Sequence, residues 1–208
     1  MITVYRVKCV DGDWPDSKRY QRIRLDWNVF KTEAERVNYY MKHHYFEGVP
    51  KTDWNPAPME LWRKSLPKPD VWGFGNGAFA VWAELLKKIP ALERILSRAG
   101  QLLPQPFKGK ELTICNILEC VDCIDEDKTL YARSDVRKGV SLPFFVKSAL
   151  PKSTLFKIPQ APTDIFAWED SSSIDPENDF KVCVEKHKLT SIYFHPVWSE
   201  TDGVIRRN

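Results

Sequence analysis

"CNILECVDCID", residues 115–125, places three cysteines and two aspartates within eleven residues, with Cys120 and Cys123 forming a CxxC. Read as chemistry, the stretch suggests a zinc site, a redox pair or an acid dyad. Read as structure, it is a buried strand running into an acidic turn. A structural zinc takes four ligands, commonly from two CxxC-like pairs or one pair with two histidines. Here there is no second pair, Cys9 and Cys183 stand alone, and His43 and His44 are adjacent, so on a helix they diverge by about 100°. A redox CxxC places its first cysteine at a helix N-terminus, where the thiolate is stabilised. Cys120 instead lies in an apolar run. Asp122 and Asp125, three apart, face opposite ways on a regular strand. A central strand ending at a solvated turn is the reading that remains, with no metal and no cofactor expected.

Around this segment the sequence has ordinary globular proportions, 43% hydrophobic and 28% charged over 208 residues. The start, "MITVYRVKCV", lacks the uninterrupted apolar core of a signal peptide. No apolar run reaches the roughly 20 residues of a membrane span, so a cytoplasmic protein is expected. Five cysteines cannot all pair. The net charge of +3 is small but uneven, with +5 over residues 51–110 and −4 over 111–208. Such polarity suits a protein partner better than a nucleic acid.

The patterns along the chain predict an α+β protein, a mostly antiparallel sheet packed with a few helices. "ITVYRVKCV" alternates as a strand. "TEAERVNYYMKHHYF" (32–46) reads as a helix capped by Thr32. "MELWRKS" in the proline-rich stretch 49–77 reads as a short strand. Asn76 is placed as the cap of a helix "GAFAVWAELLKKI", so that "GFGNG" serves capping and not phosphate binding. Pro90 opens a second helix that Gly100 closes. Short β-type runs follow, "QLLPQPF", "ELTICNILECVDCI", "VSLPFFV", "TLFKIP" and "TDIFAWE". Asp175 is the expected cap of a last helix bearing Phe180, Cys183, Val184 and His187, with His187 at the edge of the core. "LTSIYFHPVWSE" closes the sheet. Three regions are expected: an N-terminal elaboration (1–55), an α+β domain (56–200) and a polar tail (201–208).

The order of these segments, "KPDVWGFGNGAFAVWAELLKKI", "ELTICNILECVDCIDEDKT", "TLFKIPQAPTDIFAWED" and "NDFKVCVEKHKLTSIYFHPVW", resembles the bacterial immunity-protein family often called immunity protein eleven. That family was formerly a domain of unknown function and occurs beside polymorphic and secretion-system toxins. The resemblance spans residues 60–200 and falls on Pro69, Asp70, Asn116, Val121, Asp122, Asp125, Phe156, Lys157, Pro159, Phe180, Leu189, Phe194 and Trp198. Ser191 departs from it, standing where the pattern carries glycine. The resemblance implies a non-catalytic antidote that occludes a cognate protein toxin. Acidic turn and loop residues, Asp125, Glu126, Asp127, Glu169 and Asp170, are the candidate contacts. The competing reading is a small metal-dependent hydrolase built from Asp122, Asp125 and a histidine.

Overall fold

A computed structural model describes residues 1–9, 20–62, 65–131 and 139–205. Its organising strand is β7 (Lys110–Ile117), which contains the start of the opening segment. Every residue from Leu112 to Ile117 is buried. Leu112 and Ile114 enter one apolar cluster with Trp72, Phe74 and Phe107, whereas Cys115 and Ile117 enter another with Phe79, Val81 and Leu92. A strand covered on both faces has no reason to alternate with polar residues, which accounts for its continuous apolar run.

β7 lies inside a four-stranded antiparallel sheet ordered β4 (Val71–Phe74), β5 (Ala78–Trp82), β7 and β6 (Gly100–Phe107). The assignment of residues 77–89 to one helix is corrected here: Ala78–Trp82 is a strand, and only Ala83–Lys88 coils, as α2. The broad apolar face read as helical is two strand faces. Ala78 and Ala80 pack to one side, Phe79 and Val81 to the other. Asn76 is not a helix cap. Its backbone N–H donates to the His44 carbonyl and its own carbonyl accepts from Phe46 N–H, both at 2.8 Å. Gly75 and Gly77 hold left-handed φ of 55° and 85°. A Cβ on either would sit 2.3 Å from a carbonyl of the 44–46 segment. The "GFGNG" glycines therefore exist to let two backbones touch.

β7 also stops earlier than expected. After Ile117 the N–H groups of Leu118 and Glu119 both donate to the Ala99 carbonyl, and the chain leaves the sheet. The CxxC lies in irregular backbone that makes single bridges, Cys120 with Lys157 and Ile124 with Phe145.

The second sheet has five strands, β10 (Leu155–Ile158), β11 (Ala161–Asp170), β1 (Ile2–Cys9), β12 (Ile192–Ser199) and β13 (Gly203–Val204) in that spatial order. β1, assigned by sequence to an N-terminal elaboration, is its middle strand, so a boundary at residue 55 would cut the sheet. β13 lies in the stretch read as a polar tail, while 206–208 fall outside the described residues. Between the sheets, α3 (Pro90–Ala99) and α4 (Phe180–Lys186) bury Leu92, Ile95, Phe180, Cys183 and Val184 with Val7 and Ile192.

The N-cap position of α4 is Asp179, not Asp175, whose carboxylate instead accepts from Glu177 N–H (2.9 Å) and the Asn178 amide (2.6 Å) in the preceding turn. His187, expected at the core edge, is exposed at the helix end. The outer face of the four-stranded sheet is covered by α1 (Glu33–His43) and the ribbon of β2 (Arg22–Leu25) with β3 (Met59–Trp62). Thr32 caps α1 as expected, accepting from Glu35 N–H at 3.2 Å. The outer face of the five-stranded sheet, with Val4, Phe156, Phe166 and Trp198, packs under Cys123, Val140 and Phe145.

Candidate partner-binding site

The turn that follows the CxxC separates its acids into two kinds. Asp125 is a structural residue: its carboxylate accepts from Lys128 N–H (3.3 Å) and pairs with Lys128 Nζ (2.7 Å). These bonds hold its carboxyl below the usual range, the Lys128 side chain contributing most. Asp122 and Glu126 both accept from the Gln160 amide, at 2.9 and 3.4 Å. Asp122, Glu126 and Asp127 are exposed, and none forms an ion pair among the described residues.

Beside them runs the short hairpin of β8 (Leu130–Tyr131) and β9 (Val140–Leu142). Leu130 and Tyr131 are 41% and 39% exposed. The Tyr131 phenol is pushed up, by desolvation first and then by the charges of Glu126 and Asp122, which places it beside those carboxylates. Exposed acids without an ion pair among the described residues thus lie close to a half-exposed aromatic side chain.

Glu169 and Asp170 are committed elsewhere. Glu169 accepts from Lys181 Nζ at 3.1 Å and from the Tyr5 hydroxyl. Burial and that carboxylate raise the Tyr5 phenol above its usual range. Asp170 accepts from Ser172 N–H (3.0 Å), Ser172 Oγ (2.7 Å) and the Met1 ammonium (3.0 Å), which hold it well below the usual carboxylate range. Of the five candidate contacts, Glu126 and Asp127 are exposed without ionic partners among the described residues, and Asp122 joins them.

The residues of the resemblance do mainly structural work. The Asp70 carboxylate accepts from Thr190 N–H (2.9 Å) and Oγ1 (2.7 Å), joining the edge of one sheet to the strand entry of the other. Pro69 is buried and its carbonyl accepts from the Trp82 indole at 3.2 Å. Asn116, fully buried, donates to the Val49 carbonyl (3.0 Å) and to Gln101 Oε1 (3.1 Å). Phe156 and Trp198 are core residues. Lys157 is also fully buried and donates to the Phe46 carbonyl; desolvation lowers its amine to about 8. Ser191 occupies a left-handed φ of 69°, the conformation that favours the glycine of the pattern.

The geometry also shows what the other chemical groups do. Cys115, Cys123 and Cys183 are buried thiols raised by desolvation, Cys120 is exposed, and all are free. His44 is stacked between Tyr40 (5.3 Å) and Phe74 (4.6 Å), and burial lowers it to about 4. Asp122 and Asp125 are drawn to different partners, Gln160 and Lys128. Among the described residues no group of three or more His, Cys, Asp or Glu is arranged to hold a metal ion. Nor is any of their helices long and apolar enough to cross a membrane.

One surface escaped the sequence reading. Val37 and Met41, one helical turn apart on α1, are 52% and 55% exposed beside a cleft of about 780 Å3. Their i, i+4 spacing along the helix was the available signal. No family model matches the chain, and no curated protein is significantly similar to it.

Proposed function

We propose that this chain is a cytoplasmic immunity protein that binds a co-encoded protein toxin and neutralises it by occlusion, without catalysis of its own. The observation that carries the reading is the 122–131 surface, where Asp122, Glu126 and Asp127 are exposed, without an ion pair among the described residues, near exposed Leu130 and Tyr131. Apolar or aromatic anchors ringed by polar groups are the usual anatomy of a protein interface. Unpaired carboxylates add steering toward a basic partner, because they attract it through solvent before contact. The order of sequence segments supports the toxin as that partner, through the resemblance to the immunity protein eleven family.

The test is coexpression with the product of the adjacent gene, followed by copurification and measurement of growth. Wild-type protein should bind that product and rescue cells that express it. The double variant Glu126→Lys, Asp127→Lys should bind more slowly, most clearly at low salt, because rim charges act mainly on association rate. A folded wild-type chain that neither binds the product nor restores growth sinks the reading.

A further inference from the structure

His44 leaves a polar atom unanswered inside the protein. The residue is 4% exposed, and its Nε2 has no hydrogen-bond partner among the described residues. A buried polar atom in that state is costly unless another group meets it. Tyr40 and Phe74 stack on the imidazole, so hydrogen bonding is left to its edge. The same three rings line a cleft of about 260 Å3, together with Ile23 and Leu25 of the β2–β3 ribbon and Trp27.

Size, charge and hydrogen bonding define what would fill this cleft. A cavity of about 150 Å3 holds benzene, so the larger space here takes one ring with a short substituent. Arg24, the charged residue of the lining, pairs with Glu60 at 2.7 Å, and His44 is neutral because burial lowers it to about 4. The cleft thus offers no net charge to select an ion. A neutral imidazole carries one proton, so its unpartnered nitrogen either donates or accepts, and a hydroxyl can meet it in both cases. Walls of Trp27, Tyr40 and Phe74 favour an aromatic body, packed edge-on or offset.

We propose that this cleft binds a small neutral phenol bearing a short alkyl group, its ring among Trp27, Tyr40 and Phe74 and its hydroxyl at the edge of His44. The inference does not rest on the toxin reading and uses a different part of the molecule.

Titration of 15N-labelled protein with 4-ethylphenol from about 10 μM to 1 mM, followed by NMR, tests it. The Trp27 indole and Phe74 amide signals should shift together and saturate. Ethylbenzene, the same shape without the hydroxyl, should bind about two- to tenfold more weakly, although a purely apolar cleft would prefer it, having no hydroxyl to strip of water. His44→Phe keeps a ring between Tyr40 and Phe74 and should reverse that preference. Ile23→Trp should fill the cleft and abolish saturation by both molecules. Circular dichroism and thermal melts of each variant establish that it is folded. A wild-type chain whose signals do not saturate overturns the proposal. So do shifts centred elsewhere, ethylbenzene binding as tightly as 4-ethylphenol, or a folded His44→Phe variant that keeps the wild-type preference.

Discussion

Replacing Ser191 by glycine should stabilise this protein. Two costs meet at the residue. Its φ of 69° lies in the left-handed region, where a Cβ crowds the carbonyl; that conformation costs an L-residue about 1–2 kcal/mol. Its side chain is 3% exposed and the hydroxyl oxygen has no hydrogen-bond partner among the described residues, and a buried polar group so placed costs about 1–3 kcal/mol. Glycine removes both, while adding about 0.5–1 kcal/mol of unfolded-state entropy to be lost on folding. The net gain is about 1–4.5 kcal/mol, worth roughly 2–18 °C in Tm for a chain of this size. The backbone turns here from the end of α4 into β12, with Lys188 already left-handed at φ 52°. Paired urea and thermal melts of wild type and Ser191→Gly measure the difference. A variant no more stable than wild type, with an unchanged m-value, refutes the strain argument.

Two further changes test the interior. Lys157 is depressed from 10.5 to about 8, so folding expels its proton. Stability from this group is therefore lacking below pH 8, rises through the window between 8 and 10.5, and is complete above it. Relative to Lys157→Met, wild type should gain about 1 kcal/mol between pH 7 and pH 9, read from urea melts at both; parallel pH profiles would rule out a depressed amine. Gly77→Ala should destabilise by more than about 2 kcal/mol, because φ is 85° and the new methyl meets the Phe46 carbonyl at 2.3 Å and Lys157 Nζ at 2.9 Å. A melting temperature equal to that of wild type would show that the 44–46 segment can move aside.

The elements legible in the sequence are those whose evidence is local. Thr32 with Glu35, and Pro90 with Gly100, mark helix ends through bonds or dihedrals within a few residues. The runs of β1, β6, β10, β11 and β12 alternate or end at turns close by. Gly100 nevertheless closes α3 for a reason that its position after the helix does not reveal. It is extended, with φ 174°, and a Cβ would lie 1.9 Å from the Asn116 carbonyl. Ala78–Trp82 misled because a strand with two apolar faces, followed directly by a helix, mimics one amphipathic period. The candidate acids divided for the same non-local reason. Nothing near Glu169 announces Lys181 or Tyr5, and nothing near Asp170 announces the first residue of the chain. Leu130 and Tyr131 look like ordinary strand residues until their exposure beside the turn is seen.

The place of β1 has a consequence for how the chain reaches its fold. Ile2 pairs with Asp170 and Thr3 with Ser199, so the hub of the sheet is synthesised long before the strands that pair with it. Its partners are more than 150 residues away along the chain, and closing such loops costs entropy before any ladder bond compensates. During synthesis, Val4 and Val7, both buried at the end, remain without their neighbours until most of the polypeptide has emerged. Folding of the five-stranded sheet is thus a late and collective event, and the waiting strand is the part of the nascent chain most in need of protection from aggregation.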